Sequence, residues 1–168
     1  MLILLRLQIL FYVYIEEEGH VMFILKSEIQ FDTAHFLSGY TGKCANLHGH
    51  RYRVIAKVAS NTLHTDGQLR GMVEDFGTIK QALKKIEKLF DHKLLIENND
   101  EGREVARQLK EGPTDFDLYM VPYRPTAEEM SRHIYQLIKE MGVQVCEVEV
   151  FETPANSCSY SEGPVCSE

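Results

Sequence analysis

Between Phe23 and His35 the chain alternates apolar and polar residues with a period of two, a pattern that tightly limits how it can fold. Phe23, Leu25, Ile29 and Phe31 share one parity, and Lys26, Glu28, Gln30 and Asp32 share the other, which predicts a half-buried strand. His35 falls on the apolar parity. After a Gly-containing loop over residues 38–45, a second strand is expected from about Leu47 to Ala59. There Tyr52, Val54, Ala56 and Val58 share a parity with His48 and His50, while Arg51, Arg53 and Lys57 occupy the other. Both strands therefore carry histidine on the side that should face a core.

The remaining segments can be placed around this pair. Ile79, Leu83, Ile86 and Phe90 recur at helical spacing and predict a helix from Thr78 to Phe90, with Asp75 or Gly77 near its start. A second helix is expected from Thr126 to Met141. Pro125 precedes it, Thr126-Ala127-Glu128-Glu129 fits a capping box, Met130, Ile134, Leu137 and Met141 form its stripe, and Gly142 stops it. A third strand follows from Val143 to Glu152 and a short fourth around Cys158 to Ser161. The stretch from Glu97 to Tyr123 is polar and weakly patterned, and reads as a surface excursion with one short helix around Glu104 to Leu109. The expected class is α+β, in the order β-β-α-α-β-β, with two helices packed on one face of an antiparallel sheet.

The chain has 168 residues, enough for one domain with a real core, and no linker-like or low-complexity tract divides it. Residues 22–168 are read as that domain. Its net charge of −7 and its lack of a basic run argue against nucleic-acid or anionic-membrane binding. An anionic substrate would need local basic residues that override the global charge. None of Cys44, Cys146, Cys158 and Cys166 forms a C-x-x-C pair and no secretory pattern is present, so free thiols in a reducing, cytoplasmic setting are expected. Cys146 reads as a small buried hydrophobe. Residues 1–21 read as an extension. Met1 to Ile15 is apolar but interrupted by Arg6 and Gln8, too short to span a bilayer, and followed by Glu16-Glu17-Glu18 in place of a cleavage site. Codons for Glu-Glu-Glu-Gly are purine-rich, as a bacterial ribosome-binding site is, so the natural start is expected at Met22.

Four groups of residues carry chemistry. His48-Gly49-His50 comes first, because residues two apart in a strand project from one face about 6.5–7 Å apart. Gly49 allows close backbone approach, and His35 at the end of the neighbouring strand can supply a third nitrogen. A lone H-x-H is more often structural; three histidines on the buried parity of adjacent strands favour chelation. Three neutral imidazoles without a fourth protein ligand suit zinc with an open position. Cys44 lies four residues before His48, within reach of such a site as an acid/base or as a further ligand. The acid/base role is preferred, since an added thiolate would close the site. Asp91-His92 can form a proton relay, although a histidine ending a helix is often only structural. Glu152 closes an apolar, core-facing row, where a carboxylate needs partners. A heterocycle with an N–H/NH₂ edge could supply two parallel hydrogen bonds; a solvated strand-end glutamate is the plainer alternative.

Taken together, F-D-T-A-H (31–35), G-K-C-A-N-L-H-G-H (42–50), V-E-D-F (73–76), F-D-H-K-L-L (90–95), P-T-A-E-E (125–129) and F-E-T-P (151–154) closely resemble the family of 6-pyruvoyl-tetrahydropterin and 6-carboxytetrahydropterin synthases. The resemblance spans the chain from about Met22 onward. It implies the tunnelling fold, with subunits joined edge to edge as trimers that stack into hexamers and active sites at subunit interfaces. It implies zinc on His35, His48 and His50, a catalytic Cys44, a relay of Asp91 and His92, a pterin-anchoring Glu152, and a pocket wall of Thr126, Ala127 and Glu128. The three residues between Cys44 and His48 resemble the bacterial 6-carboxytetrahydropterin branch, which makes the queuosine precursor. The substrate so implied is 7,8-dihydroneopterin triphosphate. An enzyme that stops at the pyruvoyl product, and a non-catalytic pterin- or metal-binding module, are the competing readings.

Overall fold

The computed structural model describes residues 22–163. The expected extension over residues 1–21 lies outside that range. The elements in chain order are β1 (Phe23–His35), β2 (His48–Ser60), α1 (Phe76–Phe90), β3 (Leu94–Glu97), α2 (Asp100–Glu111), β4 (Leu118–Val121), α3 (Ala127–Glu140), β5 (Val145–Thr153) and β6 (Asn156–Tyr160). They build one six-stranded sheet in the order β4-β3-β1-β2-β5-β6. Among the described residues no helix is long and apolar enough to cross a membrane.

β1 and β2 pair antiparallel from Phe23↔Ser60 to His35↔His48, so one register governs both strands along their whole length. The apolar parities expected from the sequence lie on the face that α1 and α3 cover. Phe31, Tyr52, Val54, Ala56 and Val58 are buried there against Ile79, Leu83 and Ile86 of α1 and Met130, Ile134 and Ile138 of α3. Asp75 caps α1 by accepting from the Gly77 N–H, and Thr126 caps α3 by accepting from the Glu129 N–H. β2 pairs with β5 and β5 with β6, both antiparallel. A bulge near Cys146 shifts the register, so that Val58 faces Val145 rather than Cys146. Cys44 and Cys158 are free thiols, whereas Cys146 is disulfide-bonded, against the expectation of free thiols throughout.

The α+β class stands, but the sheet is mixed and carries three helices, not two. The stretch from Glu97 to Tyr123 is part of the fold and not a surface excursion: β3 pairs parallel with the end of β1 at Ala34↔Leu94 and His35↔Leu95, and β4 pairs parallel with β3. A parallel pair needs a crossover, and α2 provides it. The runs Leu94–Glu97 and Leu118–Val121 are only four residues each, too short to show a period. α2 buries only Gly102 and Ala106, so it lacks the large apolar stripe by which amphipathic helices are recognised. This unit has its own small core of Phe36, Leu94, Ile96 and Ala106.

Two outcomes follow from this packing. Gly102 sits where a Cβ would collide with the Glu97 carbonyl oxygen and press on Ile96, so Gly102→Ala should destabilise by about 1–3 kcal/mol, read as a lower urea midpoint. Burial beside Phe90, Tyr119 and Tyr123 pushes the His133 imidazole below its ordinary range, with the Tyr123 hydroxyl 2.5 Å from Nδ1. The unfolded chain then takes up its proton first as pH falls below about 6.5, and stability is lost in that direction. His133→Gln should flatten the slope of unfolding free energy against pH below about 6.5. It should not abolish that slope, because His35 and His50 are shifted the same way.

Candidate active site

The β1–β2 register places His35 directly opposite His48, with His50 one step along on the same face. Their ring centroids lie 4.5 Å (His35–His48), 5.3 Å (His35–His50) and 5.0 Å (His48–His50) apart. One nitrogen from each comes within 4.8 Å of the others. Gly49 makes this possible: a Cβ there would stand 3.1 Å from the Thr33 carbonyl oxygen and crowd Ala34.

The hydrogen bonds set the tautomers. His35 Nδ1 lies 2.7 Å from the Pro125 carbonyl oxygen and His48 Nδ1 lies 2.8 Å from that of Asn46. A carbonyl can only accept, so in each neutral ring Nδ1 carries the hydrogen and Nε2 keeps its lone pair. His50 Nε2 is buried with no hydrogen-bond partner among the described residues. Burial, as the largest cause, pushes both His35 and His50 below the ordinary imidazole range, which favours the neutral, ligating form. Three converging lone pairs, one of them an orphaned buried atom, fit a tetrahedral metal with one open position.

Glu152 and Tyr52 close one side of the triad. The Tyr52 hydroxyl donates to Glu152 Oε1 at 3.3 Å and sits 3.3 Å from His35 Nε2. Glu152 Oε1 is 3.6 Å from His35 Nε2 and 3.8 Å from His50 Nε2. Burial drives the Tyr52 phenol well above its usual range, so it remains a donor at any working pH. The sequence placed Tyr52 on the histidine parity but read it as core; the signal that could have set it apart was a phenol two residues beyond His50 in an otherwise aliphatic row.

A cavity of about 260 Å³ opens beside the triad and is lined by His35, His48, Cys44, Thr126, Ala127, Glu128 and Glu152, with residues of β6. Cys44 is carried on a short 3-10 turn, Lys43–Ala45, whose loop is closed by the Leu37 N–H donating to the Cys44 carbonyl. The structure thus brings eight of the ten sequence-selected residues to one place, with His50 at its edge. It does not bring Asp91 and His92 there. That pair ends α1, with His92 Nδ1 2.8 Å from Asp91 Oδ2, and the hydrogen bond to His92 is the main cause holding the Asp91 carboxyl below its usual range. Asp32 anchors it on the far side of β1: the Asp32 N–H donates to Asp91 Oδ1 and the Asp32 carbonyl accepts from the His92 N–H. His92 is 79% exposed and borders a second hollow of about 500 Å³ with Asp32, Gly49, His50, Arg51 and Asp117, which Cys44 does not line.

Residues 24–163 match the sequence family described as 6-pyruvoyl tetrahydropterin synthase. A 6-carboxy-5,6,7,8-tetrahydropterin synthase of Haemophilus influenzae is 35% identical over 144 residues, covering 84% of this chain and 100% of that protein. The protein of the same name from Rickettsia felis is 36% identical over 132 residues, covering 75% and 91%. Among solved structures, an uncharacterized protein of Wolinella succinogenes superposes with a TM-score of 0.70 at 20% identity, covering 84% of this chain and 98% of that one. The Plasmodium vivax 6-pyruvoyltetrahydropterin synthase gives 0.62 at 23%, again over 84% and 98%. These two likenesses concern the fold.

The triad can be tested without any substrate. Zinc at about 100 times its dissociation constant should stabilise the metal-stripped protein by about 2.7 kcal/mol, seen as a rise in melting temperature. His50→Ala should remove that rise.

Proposed function

This chain belongs to the 6-pyruvoyl tetrahydropterin synthase family, and we propose that it is a zinc-dependent 6-carboxy-5,6,7,8-tetrahydropterin synthase. It converts 7,8-dihydroneopterin triphosphate and water to 6-carboxytetrahydropterin, releasing triphosphate and acetaldehyde, in the cytoplasmic route to queuosine. The observation that carries this reading is the cavity in which two of three converging imidazoles, His35 and His48, meet the Cys44 thiol and the Glu152 carboxylate. The carboxy branch is supported by the relatives of that name and by the three-residue gap between Cys44 and His48.

A zinc ion on His35, His48 and His50 would supply Lewis acidity toward the hydroxyls of the substrate side chain. Glu152 accepts two hydrogen bonds from the N–H/NH₂ edge of the pterin, fixing the ring in the cavity beside Thr126, Ala127 and Glu128. Cys44 Sγ, on the wall of the same cavity, exchanges protons with the side-chain carbons. His92, oriented through Nδ1 by Asp91, is the second proton carrier. Because Cys44 and His92 of one chain open into different hollows, the relay reaches Cys44 from a neighbouring copy. That requirement supports the trimer-based assembly implied by the family, in which His92 would no longer be exposed.

The purified protein incubated with dihydroneopterin triphosphate should release acetaldehyde, and a chelator should stop it; a pyruvoyl product without acetaldehyde would assign the other branch. Cys44→Ala should lower turnover by about 10²–10⁴-fold while zinc content stays at the wild-type level. Loss of zinc in that variant would make Cys44 a ligand. Mixing Cys44→Ala and His92→Ala chains, each inactive alone, should restore about a quarter of the wild-type rate if each site draws one residue from each of two copies.

A further inference from the structure

Glu152 stands closer to the imidazoles than a residue that only holds a ring would need to. Its Oε1 lies 3.6 Å from His35 Nε2 and 3.8 Å from His50 Nε2, and no lysine or arginine pairs with it among the described residues. His35 Nδ1 is committed to the Pro125 carbonyl, so the neutral ring turns a lone pair, not a proton, toward the carboxylate. His50 Nε2 has no hydrogen-bond partner among the described residues. The His35 lone pair and a carboxylate oxygen facing one another repel unless a cation lies between them. Ligand atoms of a tetrahedral zinc at about 2.0–2.2 Å are separated by about 3.3–3.6 Å, which is close to the spacings seen here.

We propose that Glu152 is the fourth metal ligand of the substrate-free protein, and that it leaves the metal when a pterin ring takes its carboxylate. This rests on the reading of the triad as a metal site and of the adjoining cavity as a pterin pocket. Glu152 borders both, and the Tyr52 hydroxyl at 3.3 Å is the pivot that steadies it between them. A carboxylate whose two oxygens both turn to the ring edge is drawn away from the metal. The fourth position is therefore closed to water and stray anions at rest, and opens only when the ring is seated. Tyr52 acts here as a positioning residue.

The test uses the full chain, stripped of metal and loaded with Co²⁺, whose visible absorption band reports the ligand set. Glu152→Gln should weaken Co²⁺ binding by about 10–100-fold and alter the band. In the wild-type protein, 6-methylpterin, which has the ring but no side-chain hydroxyls, should change the band as Glu152 departs. The Glu152→Gln band should not respond to it. Unchanged Co²⁺ affinity and band in Glu152→Gln, with binding lost in His50→Ala, would overturn the inference while leaving the metal triad intact. A wild-type band indifferent to bound 6-methylpterin would overturn the exchange without recourse to any variant. If the wild-type protein binds no Co²⁺, the triad reading itself fails and takes this one with it.

Discussion

The register between β1 and β2 is the constraint from which the site follows. Thirteen pairs run without a break from Phe23↔Ser60 to His35↔His48, so burying Phe31, Tyr52 and Val54 against the helices also aims His35, His48 and His50 at the same side. A slip of one residue would turn one strand's apolar row to solvent and separate its histidines from those of the other strand. The cost of exposing several core side chains, each worth about 1.5–3 kcal/mol, therefore also enforces the geometry of the chelating face. Core and site share one determinant.

The helices contribute more than cover. α3 begins at Ala127, and the residue before its cap, Pro125, offers its carbonyl to His35 Nδ1. The docking of α3 on β5 and β6 thus selects the tautomer of a buried imidazole, and with it the direction of a lone pair. Thr126 serves the same junction twice, capping α3 and lining the cavity. At the same end of β1, α1 delivers Asp91 and His92, and two hydrogen bonds to the Asp32 backbone tie them to that strand. His92 holds a left-handed backbone conformation (φ +56°) there, a strained position maintained by those bonds.

Much of this was legible beforehand, for identifiable reasons. β1 was readable to its end residues because it is long and half-buried, so its period of two is complete. α3 was readable within a residue at each end because its cap and stripe are both local signals. The convergence of His35, His48 and His50 was readable because they sit on the same parities. By contrast β3 and β4, four residues long, carry no sufficient local pattern, and of α2 only the part from Glu104 to Leu109 was read, because it packs through Gly102 and Ala106 in place of large apolar side chains. Their place in the sheet comes from non-local pairing with β1.

By itself, then, the sequence determined which residues could share a face and which side chains could serve as ligands, acids and bases, because period and residue chemistry are local properties. Only the tertiary structure decided how those groups are distributed in space. It joined Cys44, Glu152 and Thr126 to the triad, brought in Tyr52, and left His92 at a different hollow that His50 also lines. Those outcomes depend on which strand pairs with which and on where a helix docks, and such contacts join residues far apart in the chain through packing energy that no short window of sequence contains.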